Sequence, residues 1–366
     1  MVQILLNKWQ RAVPRGRLFV LLFLFLVASV GSFARDKKGA ANPPPPELLL
    51  DGGRKLAFER SFSIEKDVKL KTGFWAHVVN VIAGEPNYRY LVKPYGIAVD
   101  SKERIIITDP GAGGFHIFDF TQQKYKFVTR QEKGKDPSLF PQCIALDAAD
   151  NIYISDSQTG KVFVYEPSGK LRQVIGSLKG GEGFFKRPTG LAVDSAALRI
   201  YVTDTSRDQV FVMDMQGNVQ QVIGKRGTAE GEFNFPTELL LRDQELYVVD
   251  AMNFRVQVFD LSGAFVRSVG RINDGPGGLF RPKGISIDSE GHLYIVDGQW
   301  GVVQVFNVEG QLLYYFGTTG SELGQFQLPA GIFIDRQDRL YVVDSINHRV
   351  QVFRYYAAQK AEGVKP

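Results

Sequence analysis

Cysteine and histidine are scarce in this sequence, whose 366 residues include one Cys and four His. The single cysteine, Cys143, excludes an intramolecular disulfide framework and any CxxC-type metal site. The sequence also lacks the HExxH, GxSxG, GxxxxGK[ST] and EF-hand patterns, which mark common peptidase, hydrolase, nucleotide and calcium sites. It therefore favours a protein that is not an enzyme, and we expect no catalytic residue, no metal and no cofactor.

Acidic residues are absent from the first 34 positions, which hold basic side chains and then the apolar run Leu18–Val30. The basic residues are Lys8, Arg11, Arg15 and Arg17. With small residues at Ser32 and Ala34, this order predicts a secretory signal peptide over residues 1–34. The run is shorter than the roughly 20 residues that span a bilayer, although an uncleaved membrane anchor is the alternative. We expect an exported protein, periplasmic or extracellular, with no stable membrane span after cleavage.

The signal segment accounts for most of the net charge. The chain has 44 Lys plus Arg, 39 Asp plus Glu and a formal net charge of +5. Without the four basic residues of the segment, 40 basic residues face 39 acidic ones, so the exported chain is nearly neutral. We therefore discount a nucleic-acid partner, which needs a strongly basic surface. Residues 35–59 contain a run of four prolines and predict a linker, which leaves residues 60–366 for the folded domain.

Six similar segments fill the rest of the chain, and each begins at a proline. These residues are Pro94, Pro141, Pro188, Pro236, Pro282 and Pro329, at separations of 46 to 48. Each segment contains four short runs rich in β-branched and aromatic residues, separated by turn residues. A steady period of this length predicts an all-β six-bladed β-propeller with four strands per blade, in which ring closure removes exposed edges. We expect a monomeric ring.

Two further expectations concern how the ring is built. Residues 74–85 resemble a fourth strand, so an N-terminal strand is predicted to complete the sixth blade and close the ring. Aromatic residues recur in the connections between blades and are predicted to pack there as plugs: Phe185, Phe233, Phe280 and Phe326. The aspartates that end each second strand occur in every blade, which indicates turn capping rather than catalysis.

The segments Leu246–Asp260 and Tyr341–Phe353 resemble the NHL repeat, and the resemblance extends over about Tyr90 to Tyr355. It implies a six-bladed propeller of NHL-type blades, and the whole chain resembles exported bacterial NHL proteins. NHL domains elsewhere are protein-interaction or RNA-binding platforms, and a related propeller is a metal-dependent amidating lyase. The four histidines, His77, His116, His292 and His348, fall at different positions of the repeat, whereas a catalytic zinc needs about three converging ligands.

The loops that vary between blades are predicted to share one face, and recognition usually resides in such loops. The candidate binding residues on or near this face are Arg187, Arg207, Asn253, Arg255, Arg281, Lys283, Trp300, Asn347 and Arg349. An alternative for Arg255 and Arg349 is that they bond the aspartate and backbone of their own turn.

Two substitutions break the Pro-x-Gly pattern that begins four of the six blades. Cys143 and Glu238 replace the glycine, where the first strand approaches the ring centre. Cys143 is interpreted as a small buried hydrophobe. Glu238 is a candidate for contacting a ligand or cation, or for pairing with a nearby Arg or Lys. We expect a scaffold that binds a protein, peptide or small ligand in the cell envelope; the alternative is a metal-dependent lyase or hydrolase at the channel mouth.

Overall fold

Short antiparallel strands make up most of the described chain. The computed structural model describes residues 46–68, 88–131, 136, 138–273 and 275–357. In chain order the strands are β1 (Glu47–Leu49), β2 (Lys55–Phe62), β3 (Ile97–Val99), β4 (Ile105–Asp109), β5 (Gly114–Asp119), β6 (Lys124–Val128), β7 (Pro141–Leu146), β8 (Ile152–Asp156), β9 (Lys161–Tyr165), β10 (Leu171–Ile175), β11 (Pro188–Asp194), β12 (Arg199–Asp204), β13 (Gln209–Asp214), β14 (Val219–Ile223), β15 (Pro236–Arg242), β16 (Glu245–Asp250), β17 (Arg255–Asp260), β18 (Phe265–Val269), β19 (Pro282–Ile287), β20 (Leu293–Asp297), β21 (Val302–Phe306), β22 (Leu312–Phe316), β23 (Pro329–Ile334), β24 (Arg339–Asp344) and β25 (Arg349–Tyr356). Within the same residues, short 3-10 helices occupy Asp51–Gly53, Glu65–Val68 and Ala251–Asn253.

The strands form six sheets, and each sheet is one propeller blade. Blades 1 to 5 are β3–β6, β7–β10, β11–β14, β15–β18 and β19–β22, and blade 6 contains β23–β25 followed by β2 and β1. All strand pairs are antiparallel. The all-β six-bladed propeller predicted from the repeat is confirmed.

The first strand of each blade lies beside the first strands of both neighbouring blades, in the cyclic order β3, β7, β11, β15, β19, β23 and back to β3. Blade 6 meets blade 1 through a hydrogen bond of 2.8 Å from the Gly331 N–H to the Tyr95 carbonyl. A Cβ atom at position 331 would lie 2.5 Å from that carbonyl oxygen. At position 331, the close approach of adjacent strands therefore requires glycine.

In each blade, the side chains of the second strand are more buried than those of the fourth. Strand β4 is buried at all five positions, because neighbouring blades cover both of its faces. Strand β22 alternates between partly buried and exposed residues before ending on buried Phe316. The continuous apolar runs of the inner strands and the alternating outer strands follow directly from this packing.

Blade 6 is completed by residues from the beginning of the described chain. Strand β2 pairs antiparallel with β25, from Lys55 opposite Tyr356 to Phe62 opposite Val350. The segment 74–85, which the sequence predicts as the closing strand, lies outside the described residues. The predicted boundary between linker and domain, at residues 59 and 60, falls inside β2.

Three of the four predicted plugs are confirmed, because Phe185, Phe233 and Phe326 are buried. The prediction for Phe280 is wrong: this ring is 44% exposed, and the preceding Leu279 is completely buried. The Leu279 side chain packs against Gly270 in the same way that the Phe233 ring packs against Gly224. The connection before blade 5 therefore uses a leucine as its plug and leaves the next aromatic ring on the surface.

The described residues contain no helix that is long and apolar enough to cross a membrane. The predicted signal peptide, residues 1–34, lies outside the described part of the chain.

Candidate functional site

The first strands of the blades enclose a central channel with a cavity of about 850 Å³. At one end of this channel, which we call the channel mouth, the first strands begin and the cavity is lined by Gly96, Cys143 and Glu238. The opposite end is lined by hairpin turns that contain Asp100 and Asp147. The residues flanking the blade prolines therefore surround the channel mouth.

Buried aspartates fix the backbone at the channel mouth. Asp297, at the end of β20, accepts hydrogen bonds from the N–H groups of Phe280 (2.7 Å) and Arg281 (3.2 Å). Asp204, at the end of β12, accepts one from the Arg187 N–H at 3.0 Å. Asp109, at the end of β4, does the same for the Lys93 N–H at 2.9 Å. The predicted turn-capping role is confirmed for Asp109 and Asp297, which also accept the N–H groups of Ala112 and Gln299 in the turns that follow. Asp204 instead accepts N–H groups from the residues before its blade proline.

Cationic and apolar side chains alternate around the channel mouth. The residue before the proline is Lys93, Arg187 or Arg281 in blades 1, 3 and 5, and Phe140, Phe235 or Leu328 in blades 2, 4 and 6. The three cations are exposed, and none forms an ion pair within the described part of the chain. The Arg187 guanidinium lies 5.3 Å from the centre of the Phe235 ring. The channel mouth is thus positively charged, and no acidic side chain of the described residues pairs with these three cations.

Lys283 lies deeper in the channel mouth and is half-buried. Its ammonium group lies 5.4 Å from the centre of the Tyr95 ring. Burial lowers the pKa of Lys283 to about 8, and the positive charges of Arg281 and Lys93 lower it further in the same direction. The side chain is therefore a cation that can lose its proton close to neutral pH.

Glu238 and Cys143 meet across the channel mouth. The Cys143 thiol donates to Glu238 Oε1 at 2.7 Å, and the Leu239 N–H donates to the same oxygen at 3.3 Å. Burial raises the pKa of Glu238 to about 7. Burial and the nearby Glu238 charge raise the pKa of the Cys143 thiol well above its usual value. Cys143 is therefore a protonated donor, and Glu238 exchanges a proton near neutral pH.

Two exposed aromatic side chains and one half-buried ring lie next to the cations, and we call Phe254, Phe280 and Trp300 the aromatic patch. The Phe280 ring centre lies 6.1 Å from those of both Phe254 and Trp300. Trp300 is 47% exposed and Phe280 is 44% exposed. Because Phe280 directly precedes Arg281 in the chain, the aromatic patch adjoins the cationic channel mouth.

Four predicted binding residues use their side chains inside the protein. Arg255 Nε donates to Asp250 at 2.9 Å, and its Nη2 donates to the carbonyls of Ala229 and Glu232. Asn253 donates to the same Asp250 carboxylate at 2.8 Å. Asn347 and Arg349 make the equivalent bonds to Asp344 in blade 6. The structural interpretation of Arg255 and Arg349 is confirmed, and a ligand contact by these four residues stays a prediction that the proposals below do not use.

Arg207 is also held within its blade. Its Nη1 lies 3.3 Å from an oxygen of Asp204, and its guanidinium packs over Phe184 and Phe211. Of the predicted residues, the structure brings Arg187, Arg281 and Lys283 together near Glu238, with Trp300 in the adjoining aromatic patch.

Sequence reasoning missed Lys93, Tyr95, Phe254 and Phe280 as surface or channel residues. The repeat register contained the signal for two of them. Lys93 occupies the position of Arg187 and Arg281 before the proline, and Tyr95 occupies the position of Lys283 after it.

The described histidines lie apart and have separate partners. His116 lies in β5 and bonds Tyr125 and Asp109, His292 bonds Asp288 in a hairpin turn, and His348 bonds a backbone carbonyl. His77 lies outside the described residues. In the described ranges, no three His, Cys, Asp or Glu side chains are grouped so that they could hold a metal ion.

Family models match two segments of the chain. One, described as a 6-bladed beta-propeller, matches residues 236–303, and the NHL repeat matches residues 326–353. None of the curated proteins matches this chain.

Solved structures with the same fold include both enzymes and a binding protein. A gluconolactonase from Xanthomonas campestris is 15% identical, with a TM-score of 0.58 over 86% of this chain and 96% of that chain. Catalytically inactive virginiamycin B lyase from Staphylococcus aureus with quinupristin is 15% identical, with a TM-score of 0.53 over 74% and 86%. An auxiliary nutrient binding protein from Bacteroides thetaiotaomicron is 14% identical, with a TM-score of 0.55 over 72% and 69%. At these identities the likeness shows the fold alone. The chain is therefore a six-bladed β-propeller that carries an NHL repeat in its last blade.

Proposed function

We propose that this protein is an exported, non-catalytic scaffold that binds a partner protein or peptide with the channel mouth and the aromatic patch. One observation carries the proposal: Phe280 and Trp300 are large, exposed and in contact with each other beside the unpaired Arg281. Aromatic residues and arginine are the side chains that most often dominate the binding energy of protein interfaces. Export is proposed from the N-terminal sequence pattern.

The scaffold holds this surface rigidly. Asp297 accepts hydrogen bonds from Phe280, Arg281 and Trp300, so one buried carboxylate fixes the backbone on both sides of the aromatic patch. A preorganised surface loses little conformational entropy when a partner binds. Such fixed loops on a closed ring are suited to recognition.

Differential capture tests this proposal. The purified protein serves as bait in an envelope extract, alongside the variant Phe280→Ser with Trp300→Ala. A control variant, Leu313→Ser with Tyr315→Ala, removes exposed apolar side chains from the outer strand β22. We expect a partner that the control retains and the aromatic-patch variant loses; a partner retained equally by both would place the interface elsewhere.

A second candidate is a lyase or hydrolase at the channel mouth. Glu238 and Lys283 favour it, because pKa values of about 7 and about 8 suit groups that transfer protons near neutral pH. The amidating-lyase resemblance also implies a metal, but the described side chains around Glu238 do not offer a three-ligand set, so no step through a metal is derived. Metal analysis separates the candidates: stoichiometric zinc or calcium that is lost in Glu238→Gln would overturn the non-catalytic account.

A further inference from the structure

We propose that the channel mouth and the aromatic patch form one site for an extended acidic peptide segment of the partner. Its carboxylates would contact Lys93, Arg187 and Arg281, and its aromatic or aliphatic side chains would pack on Phe280 and Trp300. This inference rests on the proposed function and names the ligand class.

The arrangement of charge is the first support. Cations precede the proline in alternate blades, so they are distributed around the whole channel mouth rather than along one side. Their backbones are fixed by Asp109, Asp204 and Asp297, but these carboxylates accept the main-chain N–H groups, and the cationic side chains have no ion pair among the described residues. A chain of alternating carboxylates would supply the missing counter-charges.

The environment of Lys283 is the second support. Burial is the main cause of its lowered pKa, and the positive charges of Arg281 and Lys93 lower the pKa further, as expected for cations that face one channel mouth. Like charges held together by a rigid backbone repel one another until an anion binds between them. A bound carboxylate would therefore relieve repulsion as well as add direct contacts.

The aromatic patch distinguishes a peptide from other anions. A small inorganic anion at the channel mouth would leave Phe280 and Trp300 unused. Single-stranded RNA would need flat rings on which bases can stack. The Phe280 and Trp300 rings meet edge to face at 73°, so they do not form the parallel platform on which successive bases would stack, and they offer apolar surface to a peptide side chain.

Fluorescence anisotropy with defined probes tests the inference on the purified full-length chain. The probes are fluorescein-labelled decapeptides of alternating Glu-Tyr, Gln-Tyr and Glu-Ser, and a labelled decauridylate. We expect the Glu-Tyr peptide to bind at least about tenfold more tightly than the other three probes, and its affinity to fall about tenfold between 50 and 500 mM salt. Equal binding of the Glu-Tyr and Gln-Tyr peptides, or tighter binding of decauridylate, would overturn the inference.

Two variants and one matched control locate the site. Arg187→Gln with Arg281→Gln, and separately Trp300→Ala, should each weaken Glu-Tyr binding about tenfold. The control, Lys124→Gln with Lys126→Gln, removes two exposed cations from β6 and should leave binding unchanged. If the arginine variant binds the peptide as the control does, the carboxylates bind elsewhere and the inference is wrong.

The same variants separate this inference from the proposed function. In the envelope capture, a partner that depends on Trp300 but not on Arg187 and Arg281 would refute the acidic ligand and keep the binding face. A partner that depends on none of them would refute the proposed function itself. Thermal unfolding of each variant, with the midpoint expected within about 3 °C of the parent, establishes that lost binding does not reflect lost folding.

Discussion

Individual side chains at the channel mouth have unusual protonation because the ring desolvates them. Glu238 replaces a glycine of the Pro-x-Gly pattern, so its carboxyl extends into the channel where four other blades have no side chain. Its nearest donor is the neutral thiol of Cys143, a weak donor, and the Leu239 N–H lies further away. A neutral donor compensates only part of the desolvation, and the acid is therefore stabilised in its protonated form.

Glu238 should make the stability of the protein depend on pH. Its pKa is about 7 in the folded protein against 4.5 ordinarily, so the folded state retains a proton that the unfolded state releases. The free energy of unfolding should therefore fall by about 3 kcal/mol as pH rises from 4.5 to 7. In Glu238→Gln this contribution is absent. Urea unfolding should therefore show that the free energy of unfolding of the variant, relative to that of the parent, is higher at pH 8 than at pH 4.5. A stability difference that is the same at both pH values would contradict the prediction.

Lys283 offers a direct test of the charge at the channel mouth. We expect the 13C resonance of its Cε to titrate near pH 8, and Lys283→Arg identifies the signal by removing it. Neutralising a neighbour with Arg281→Gln should raise the pKa of Lys283 by roughly half a unit, because a repelling charge is lost. A midpoint that does not move in Arg281→Gln would show that the Arg281 charge does not act on Lys283.

At the scale of the element, a second strand, a crossover and a turn are joined by one buried carboxylate. Asp297 ends β20 and accepts N–H groups from Phe280 and Arg281 in the crossover before β19 and from Gln299 in the following turn. Hydrogen bonds to a charged acceptor are stronger than neutral ones, and a buried donor that loses its acceptor costs free energy. Each blade therefore positions its own part of the channel mouth.

Asp297→Ala should lower the free energy of unfolding by about 3 kcal/mol, because several N–H groups lose their acceptor. Asp214→Ala is the matched control, since Asp214 also accepts turn N–H groups but lies on the surface. Urea denaturation should show a clearly smaller loss in the control. Equal losses in the two variants would contradict a special role for the buried carboxylate.

At the scale of the whole molecule, closure depends on a strand that is distant in sequence. Strand β2 covers β25 and buries Leu56 and Phe62, which each retain 3% exposure. Without it, blade 6 would present an unpaired edge, and unpaired edges promote aggregation. The first strands of blades 6 and 1 meet through the bond from Gly331 to Tyr95, so closure also determines the shape of the channel mouth.

Two truncations test the closure. Removal of residues 1–45 should leave thermal unfolding unchanged, whereas removal of residues 1–62 should lower the midpoint by about 10 to 20 °C, because roughly 5 to 10 kcal/mol of strand pairing and apolar burial is lost. Calorimetry measures both. An unchanged midpoint in the shorter chain would show that β2 does not stabilise the ring.

The repeat determined much of this fold because each blade has its own local pattern. Regularly spaced prolines, short β-branched runs and terminal aspartates predict the blades, the inner strands and the turn caps without reference to distant residues. Local patterns also suggested Arg187, Arg281, Lys283 and Glu238 as candidates for the site. The exposed position of Phe280 could not be predicted in this way, because Leu279 and Phe280 are both apolar and only packing between blades selects which one is buried.

Hydrophobic periodicity and turn chemistry act over a few residues, so the amino-acid sequence is enough to predict the six-bladed all-β architecture and positions that face the channel. The folded ring is needed to see that β2 completes blade 6, that Cys143 meets Glu238 and that Lys283 lies over Tyr95. These contacts join residues far apart in the chain, and their geometry and their effect on pKa arise when ring closure removes water and brings separate blades together.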